Sequence, residues 1–228
     1  MVKQVRAVRT RQALLRAAAE VFAHNGYARA SLPAISKRAG VSAGALHFHF
    51  PSKDALADEV EDAATRAVQE LAGRCRRTSG SALAALVAAT HHLAAALTAD
   101  PVTWAGFRLG ADPARRNRAG LLEWWHAWVL DVVGQAREAG ELADGVCPEG
   151  AAVAVVAATV GFEALGSRDR DWLSEERMVQ FWTFLLPSLA APPARSLTQV
   201  LEAARTASPA RRDGSADLVA AAGTDPAT

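Results

Sequence analysis

SLPAISKRAGVSAGALHFHF, residues 31–50, is the stretch on which the reading of this chain turns. Ser31 is a natural N-cap for a short helix whose apolar residues Leu32, Ile35 and Ala39 recur at helical spacing, and Gly40 stops it. Ser42 caps a second short helix, from Ala43 to about His49. Two short helices joined by the tight turn Ala39-Gly40-Val41-Ser42 match the helix-turn-helix, whose second helix lays its first turn in the major groove of DNA. There Gly44 and the small Ala43 and Ala45 let the backbone approach the duplex, and an Ala methyl can meet a thymine methyl. His47, Phe48 and His49 follow on the outer face, while Leu46 points into the core. Backbone N–H groups at the starts of the neighbouring helices, with Ser31 and Lys53 beside them, suit phosphate oxygens. A plain helical hairpin inside a bundle is the alternative for this run.

Charge weighs against that alternative. Residues 1–53 carry nine Lys or Arg against a single acid, Glu20, a balance of +8, so the rest of a chain with net charge +1 carries −7. A basic unit fused to an acidic one points to a polyanion as partner of the first alone. Outward from the quoted run, Leu14, Leu15, Ala18, Val21 and Phe22 stripe a helix over 9–25, and Gly26 follows it. Pro51 and Ser52 open a long helix from Lys53 through Leu71. Further helices are predicted at about 82–98, 102–110, 118–139, 150–166 and 174–189, with Pro and Gly at the joints. The fold class is therefore all-α: a helix-turn-helix domain over 1–53, a helical domain over 54–189 to which the resemblances below give ligand binding and dimerisation, and a tail over 190–228. That tail is expected to be mobile apart from a short helix near 197–205.

The run also resembles the tetracycline-repressor (TetR) family. The resemblance is carried by Phe22, Gly26, Tyr27, Ile35, Ala39, Gly40, Val41, Ser42, Gly44, Leu46, His49, Phe50, Lys53 and Asp54. It implies a homodimer built on the last two long helices that reads a palindromic double-stranded operator, with one copy of the helix opening at Ala43 in each half-site. Two positions depart from the family pattern: His47 stands where a phosphate-gripping Tyr is usual, and Ala43 where Lys or Thr is frequent. Weaker phosphate anchoring follows, offset by an N-terminal arm with Lys3, Arg6, Arg9, Thr10 and Arg11.

A second resemblance, to the γ-butyrolactone receptors of actinomycetes, extends over about three-quarters of the chain. It rests on Gln4-Val5-Arg6-Ala7, Thr10-Arg11, Gly44-Ala45-Leu46, Phe48-His49-Phe50, Pro101-Val102, Ala105-Gly106, Arg108-Leu109 and Glu123-Trp124. It implies a repressor released by a small apolar effector, with Trp124 packing on the bound lactone.

None of the six Trp residues lies in the basic segment. Trp124 and Trp128 are four apart on one helix face, with Trp125 on the neighbouring face beside Leu121 and Val132. Trp104, Arg108, Trp124, Trp128, Thr159 and Phe162 are the candidate ligand residues, and His126 and Glu163 are further polar candidates. Plain core or dimer packing accounts for any single Trp about as well. The helices at 150–166 and 174–189 are the interface candidates, the second striped by Val179, Trp182, Leu185, Leu186 and Leu189.

Other classes fit less well. There is no Gly-rich phosphate loop, no His-Glu-x-x-His and no Cys-x-x-Cys, and neither His47 with His49 nor His91 with His92 can share one metal ion, so no catalytic or metal site and no cofactor is expected. Cys75 and Cys147 lie far apart, the N-terminus lacks an apolar core, and the most apolar stretch, 150–166, is short for a bilayer and contains Glu163. A cytoplasmic protein with no membrane partner is expected. A pseudo-receptor for an antibiotic or pathway intermediate, or a DNA-binding regulator with no small-molecule effector, remain open at this point.

Overall fold

The computed structural model describes residues 2–115 and 120–192, and of Val2 and Lys3 only the backbone. Among these residues the chain is helical, with nine α-helices and a single isolated antiparallel bridge, Leu142 to Ala190. They are α1 (Val2–Arg29), α2 (Leu32–Ala39), α3 (Ala43–His49), α4 (Lys53–Thr78), α5 (Ala82–Ala99), α6 (Pro101–Gly110), α7 (Leu121–Glu138), α8 (Pro148–Gly166) and α9 (Glu175–Leu189). Two 3₁₀ turns, Pro113–Arg115 and Arg170–Leu173, follow α6 and α8. The tail from residue 193 onward, with its expected short helix, lies outside the described residues.

The start signals explain most boundaries. Ser31, Ser42, Ser52, Ser81 and Ser174 each accept a hydrogen bond from the backbone N–H three residues on, and Asp100 caps α6 through the N–H groups of Val102 and Thr103. Each satisfies one or two of the donors that a helix start leaves open. Gly40 closes α2 in the left-handed region (φ 67) and sends the chain into α3. Helix α1 differs from the expected 9–25: it begins at Val2 and continues to Arg29 across a kink at Gly26 (φ 73). Its first turns lack a buried stripe, since Val5 and Val8 are exposed, and so gave no periodic signal.

The head, α1 to α3 with the first turns of α4, closes over Leu14, Ala18, Phe22, Ile35, Leu46 and Phe50, all buried. Helix α4 runs on without a break into the second bundle, so one continuous helix joins the two parts. Helix α5 is the centre of that bundle. By length and composition both α5 and α8 are apolar enough to cross a membrane, so shortness does not argue against a span; α5 is 61% buried in the bundle, α8 only 33%.

Helix α6 crosses α4 at backbone contact. A Cβ placed on Gly106 would lie 2.2 Å from the Cβ of Ala64, with Leu121 Cδ2 at 3.2 Å behind it. Gly106→Ala therefore has nowhere to go unless the two helices part. It should lower stability by about 2 kcal/mol or more. In thermal melting of the purified chain that loss reads as a Tm several degrees lower.

Candidate nucleic-acid interface and effector chamber

The structure exposes one side of α3 and anchors the other. Leu46 and Phe50 are buried, Ala45 and His49 are half-buried, and Ser42, Ala43, Gly44, His47 and Phe48 face out. Phe48 is 82% exposed and touches only the edge of His49, at 5.2 Å between ring centroids. An apolar ring presented this way has no folding role, because it removes almost no surface from water. The Oγ atoms of Ser31 and Ser42 already accept from Ala34 N–H (3.3 Å) and Ala45 N–H (3.2 Å), which fixes where α2 and α3 begin. Each hydroxyl still has its proton to offer.

The cations around α3 divide into two groups. Arg6, Arg9, Arg29 and Lys37 are exposed on the head, and Thr10 Oγ1 donates to the carbonyl of Arg6. Arg11 is drawn to Glu59 (2.8 Å) and lies over the Phe50 ring, while Arg38 pairs with Glu20. The side chain of Lys3 lies outside the described residues. The sequence reading set Lys53 beside a phosphate; here its side chain has partners within the head. Its Nζ turns inward, donates to the carbonyls of Tyr27 (3.0 Å) and Ala30 (3.2 Å), and sits 4.3 Å from the Tyr27 ring centroid. The carbonyls at and just beyond the end of α1 hold its ammonium.

The six candidate ligand residues fall into three places. Thr159 and Phe162 line a cavity with Thr90, Leu97, Met178 and Phe181, between α5, α8 and α9. Its free volume is about 10 Å³, room for one water at most. Its hydroxyls are already engaged: Thr159 donates to Val155 O (2.8 Å), and Thr90 donates to Val87 O while accepting from Trp182 Nε1 (2.7 Å). Trp124 and Trp128 belong to a stack on α7, with ring centroids 6.3 Å apart, and Trp125 stacks on Trp128 at 5.1 Å.

Trp104 and Arg108 face the head. Trp104 Nε1 donates to Glu163 Oε1 (2.9 Å), its ring meets the edge of His24 at 5.2 Å, and the Arg170 guanidinium lies over it at 4.1 Å. Arg108 Nη1 donates to the carbonyl of Ala23 in α1 (2.6 Å), so it ties the bundle to the head rather than offering a charge to a ligand. Glu163 is buried behind this group. Burial pushes its carboxyl above the usual range, against the opposing pull of the Trp104 hydrogen bond and of Arg108 and Arg170.

Sequence reasoning singled out Trp124, but the more telling ring is its neighbour. Trp125 is 0% exposed, and its indole N–H has no hydrogen-bond partner among the described residues. A buried donor left open costs about 1–3 kcal/mol. Helical spacing put these two rings on neighbouring faces without saying which face looks inward, and an open donor shows only once the neighbours are in place.

The sequence pattern of the bacterial regulatory proteins of the tetR family matches residues 14–60, the whole of the head after the first turns of α1. The A-factor receptor protein of Streptomyces griseus is 32% identical over 196 residues, 84% of this chain and 68% of the relative. The chain belongs to the tetR family. Among solved structures, a γ-butyrolactone receptor described as ArpA-like is 25% identical with a TM-score of 0.75, over 89% of this chain and 99% of that one. The tetR family protein CprB of Streptomyces coelicolor, solved in complex with its biological operator sequence, is 26% identical with a TM-score of 0.75, over 88% of this chain and 97% of that one. The likeness to these tetR proteins thus covers the effector domain as well as the head. In the head, the matched pattern spans both the exposed face of α3 and the inward Lys53.

That placement of Lys53 has a measurable consequence. Lys53→Met should lower the Tm, by about 1–2 kcal/mol of stability, through the loss of two charge-assisted hydrogen bonds and a cation–π contact. It should leave the salt dependence of DNA binding unchanged, whereas loss of a phosphate contact would reduce the slope by about one.

Proposed function

We propose that this chain is a dimeric transcriptional repressor that grips a palindromic operator with one α3 per copy and releases it when a small apolar effector enters the bundle. The observation that carries the DNA half is the outward set of Ser42, Ala43, Gly44, His47 and Phe48 on a short helix whose other side is locked by Leu46 and Phe50, within a segment of charge +8. Phosphate contacts come from Arg6, Arg9, Lys37 and the backbone at the starts of α2 and α4, with the Ser31 hydroxyl and Thr10 beside them, while Lys53 acts on the head's own structure. The working units are residues 1–53 and 54–189, joined within α4.

The effector half rests on Trp125. An indole N–H with no partner in a wall of stacked rings suits a molecule with an apolar body and one hydrogen-bond acceptor. A lactone carbonyl has that chemistry, and two of the similar proteins are named for an A-factor and for γ-butyrolactones. We read the chain as a cytoplasmic regulator without enzymatic activity, cofactor or membrane contact, in keeping with its family. The dimer is read from α8 and α9. Val153, Leu165 and Phe184 are exposed there, and Phe184 at 82% is as bare as Phe48. A largely apolar face is expensive to leave in water, and a second copy covers it without a new partner.

A gel-shift with the duplex upstream of the protein's own gene, with and without organic extract of the producing culture, tests the reading. We expect a shifted band that the extract removes; no preference for this duplex at low salt overturns the DNA half. Trp125→Phe keeps an aromatic ring at the position and removes the indole donor. It should raise the amount of extract needed for release about tenfold, the size of one lost hydrogen bond, with operator affinity unchanged. Phe184→Glu should shift the chain toward monomer in sedimentation and weaken the two-half-site complex, and an unchanged dimer would move the interface elsewhere.

A further inference from the structure

Two guanidinium groups of the effector domain reach into the DNA-reading head. Arg108, on α6, holds the Ala23 carbonyl in the last turn of α1 before the Gly26 kink. Arg115, in the 3₁₀ turn after α6, holds the start of α4. Its side chain is 6% exposed, and Nη2 donates to Asp58 Oδ1 (2.7 Å) and Glu61 Oε2 (3.2 Å) while Nη1 lies 3.8 Å from Asp54. Its planar group also lies over the Tyr27 ring at 5.2 Å, and the Tyr27 hydroxyl donates to Asp54. The end of α1, the head end of α4 and the segment leaving α6 therefore meet at one side chain.

The same cluster touches the effector side. Helix α7 starts at Gly120, where a Cβ would lie 1.8 Å from Glu61 Oε1; only glycine lets the chain pass this carboxylate. Trp124 and Trp125 follow within the first two turns of α7. Glu61 is thus pressed by the root of the helix that carries the stacked rings, and it is bound to the arginine that holds the head. Asp54, Asp58 and Glu61 lie along one side of α4 at helical spacing, and the flat fork of an arginine can bond two carboxylates and still lie on a ring face, which an ammonium cannot do.

We infer that Arg115 is a positioning residue for operator binding: without touching DNA, it fixes the angle at which the head sits on the effector domain, and with it the spacing of the two α3 helices in the dimer. Arg108 ties the end of α1 to α6, beside the unbroken α4 and the Trp104–His24 contact; Arg115 adds a directional tie at the head end of α4 that bears on the angle between the parts. Arg115 binds this cluster through its Nη atoms while its Nε is buried without a hydrogen-bond partner among the described residues, so losing the bond to the buried Glu61 would strand a charge. The inference rests on the reading of the chain as a dimeric operator-binding protein.

The experiment compares two duplexes with the full chain by fluorescence anisotropy: the duplex upstream of the protein's own gene, with both half-sites, and a version with one half-site scrambled. Arg115→Met should weaken binding to the two-site duplex about tenfold and leave one-site binding within about twofold, because a loosened head still reads its half-site but no longer arrives in register with its partner. Tyr27→Phe, which removes only the hydroxyl held by Asp54, should move in the same direction by about threefold. Arg115→Lys should fall short of the native affinity on the two-site duplex, since the fork and not the charge alone is required. Equal losses on both duplexes, or no loss on either, overturn the inference. If Arg115→Met does not fold, Tyr27→Phe decides by the same ratio. A native chain that prefers neither duplex over random DNA removes the operator reading itself, an outcome visible before any variant is made.

Discussion

The crossing of α6 over α4, with Gly106 against Ala64, is the constraint on which the rest of the molecule depends. A backbone approach this close leaves no soft side chain between the two helices, so α6 cannot slide on α4 without opening the contact. Everything that joins the two working parts is arranged around that fulcrum. On one side Arg108 reaches Ala23 and Trp104 meets His24, so α6 holds the end of α1; on the other Arg115 holds the head end of α4. The end of α1 and the head end of α4 are thus both held from α6 and the turn that follows it.

Two buried carboxylates mark the ends of this linkage. Glu61 faces Arg115 beneath the start of α7, and Glu163 faces Trp104 with Arg108 and Arg170 close by. Stability alone does not require such groups, since a whole buried pair can often be replaced by apolar side chains of similar volume at little cost. What a buried carboxylate supplies is an exacting geometry. Each accepts the right donor at the right distance or leaves a charge stranded, so each ties a helix position to a particular partner. The head and bundle are held together by directional bonds of this kind as much as by apolar packing, and directional bonds can be exchanged without unfolding either part.

How much of this was legible in the sequence depends on whether a feature is local. The caps at Ser31, Ser42, Ser52, Ser81 and Ser174 act within three residues of themselves, and so does the turn at Gly40; the nine helices and the helix-turn-helix could be read for that reason. Lys53 could not, because its direction depends on the end of α1 arriving beside the start of α4, from residues far back in the chain. Arg108 was read as a ligand group on the same footing, since a cation among apolar neighbours has no sequence mark saying which carbonyl it will meet. The choice between Trp124 and Trp125 turned on which face of α7 looks inward, and Ala-rich neighbours on α5 and α8 give no sharp apolar stripe to orient it. Arg115 escaped notice because it falls in a short turn without periodicity, and its partners lie more than fifty residues earlier.

The small size of the chamber bears on how release can work. The cavity by Thr159 and Phe162 has a free volume of about 10 Å³, whereas sites for drug-sized molecules run from about 300 Å³ upward. On the reading proposed above, an effector of ordinary size would have to part the helices to use this cavity, and would then bind an arrangement other than this one. That is the condition for control: a molecule that bound both arrangements equally would shift nothing however tightly it held, and a change from mostly bound to mostly free takes roughly 5 kcal/mol of preference. The root of α7 is where opening would be felt first by the head, since a shift of Gly120 cannot leave the Glu61 carboxylate where Arg115 needs it.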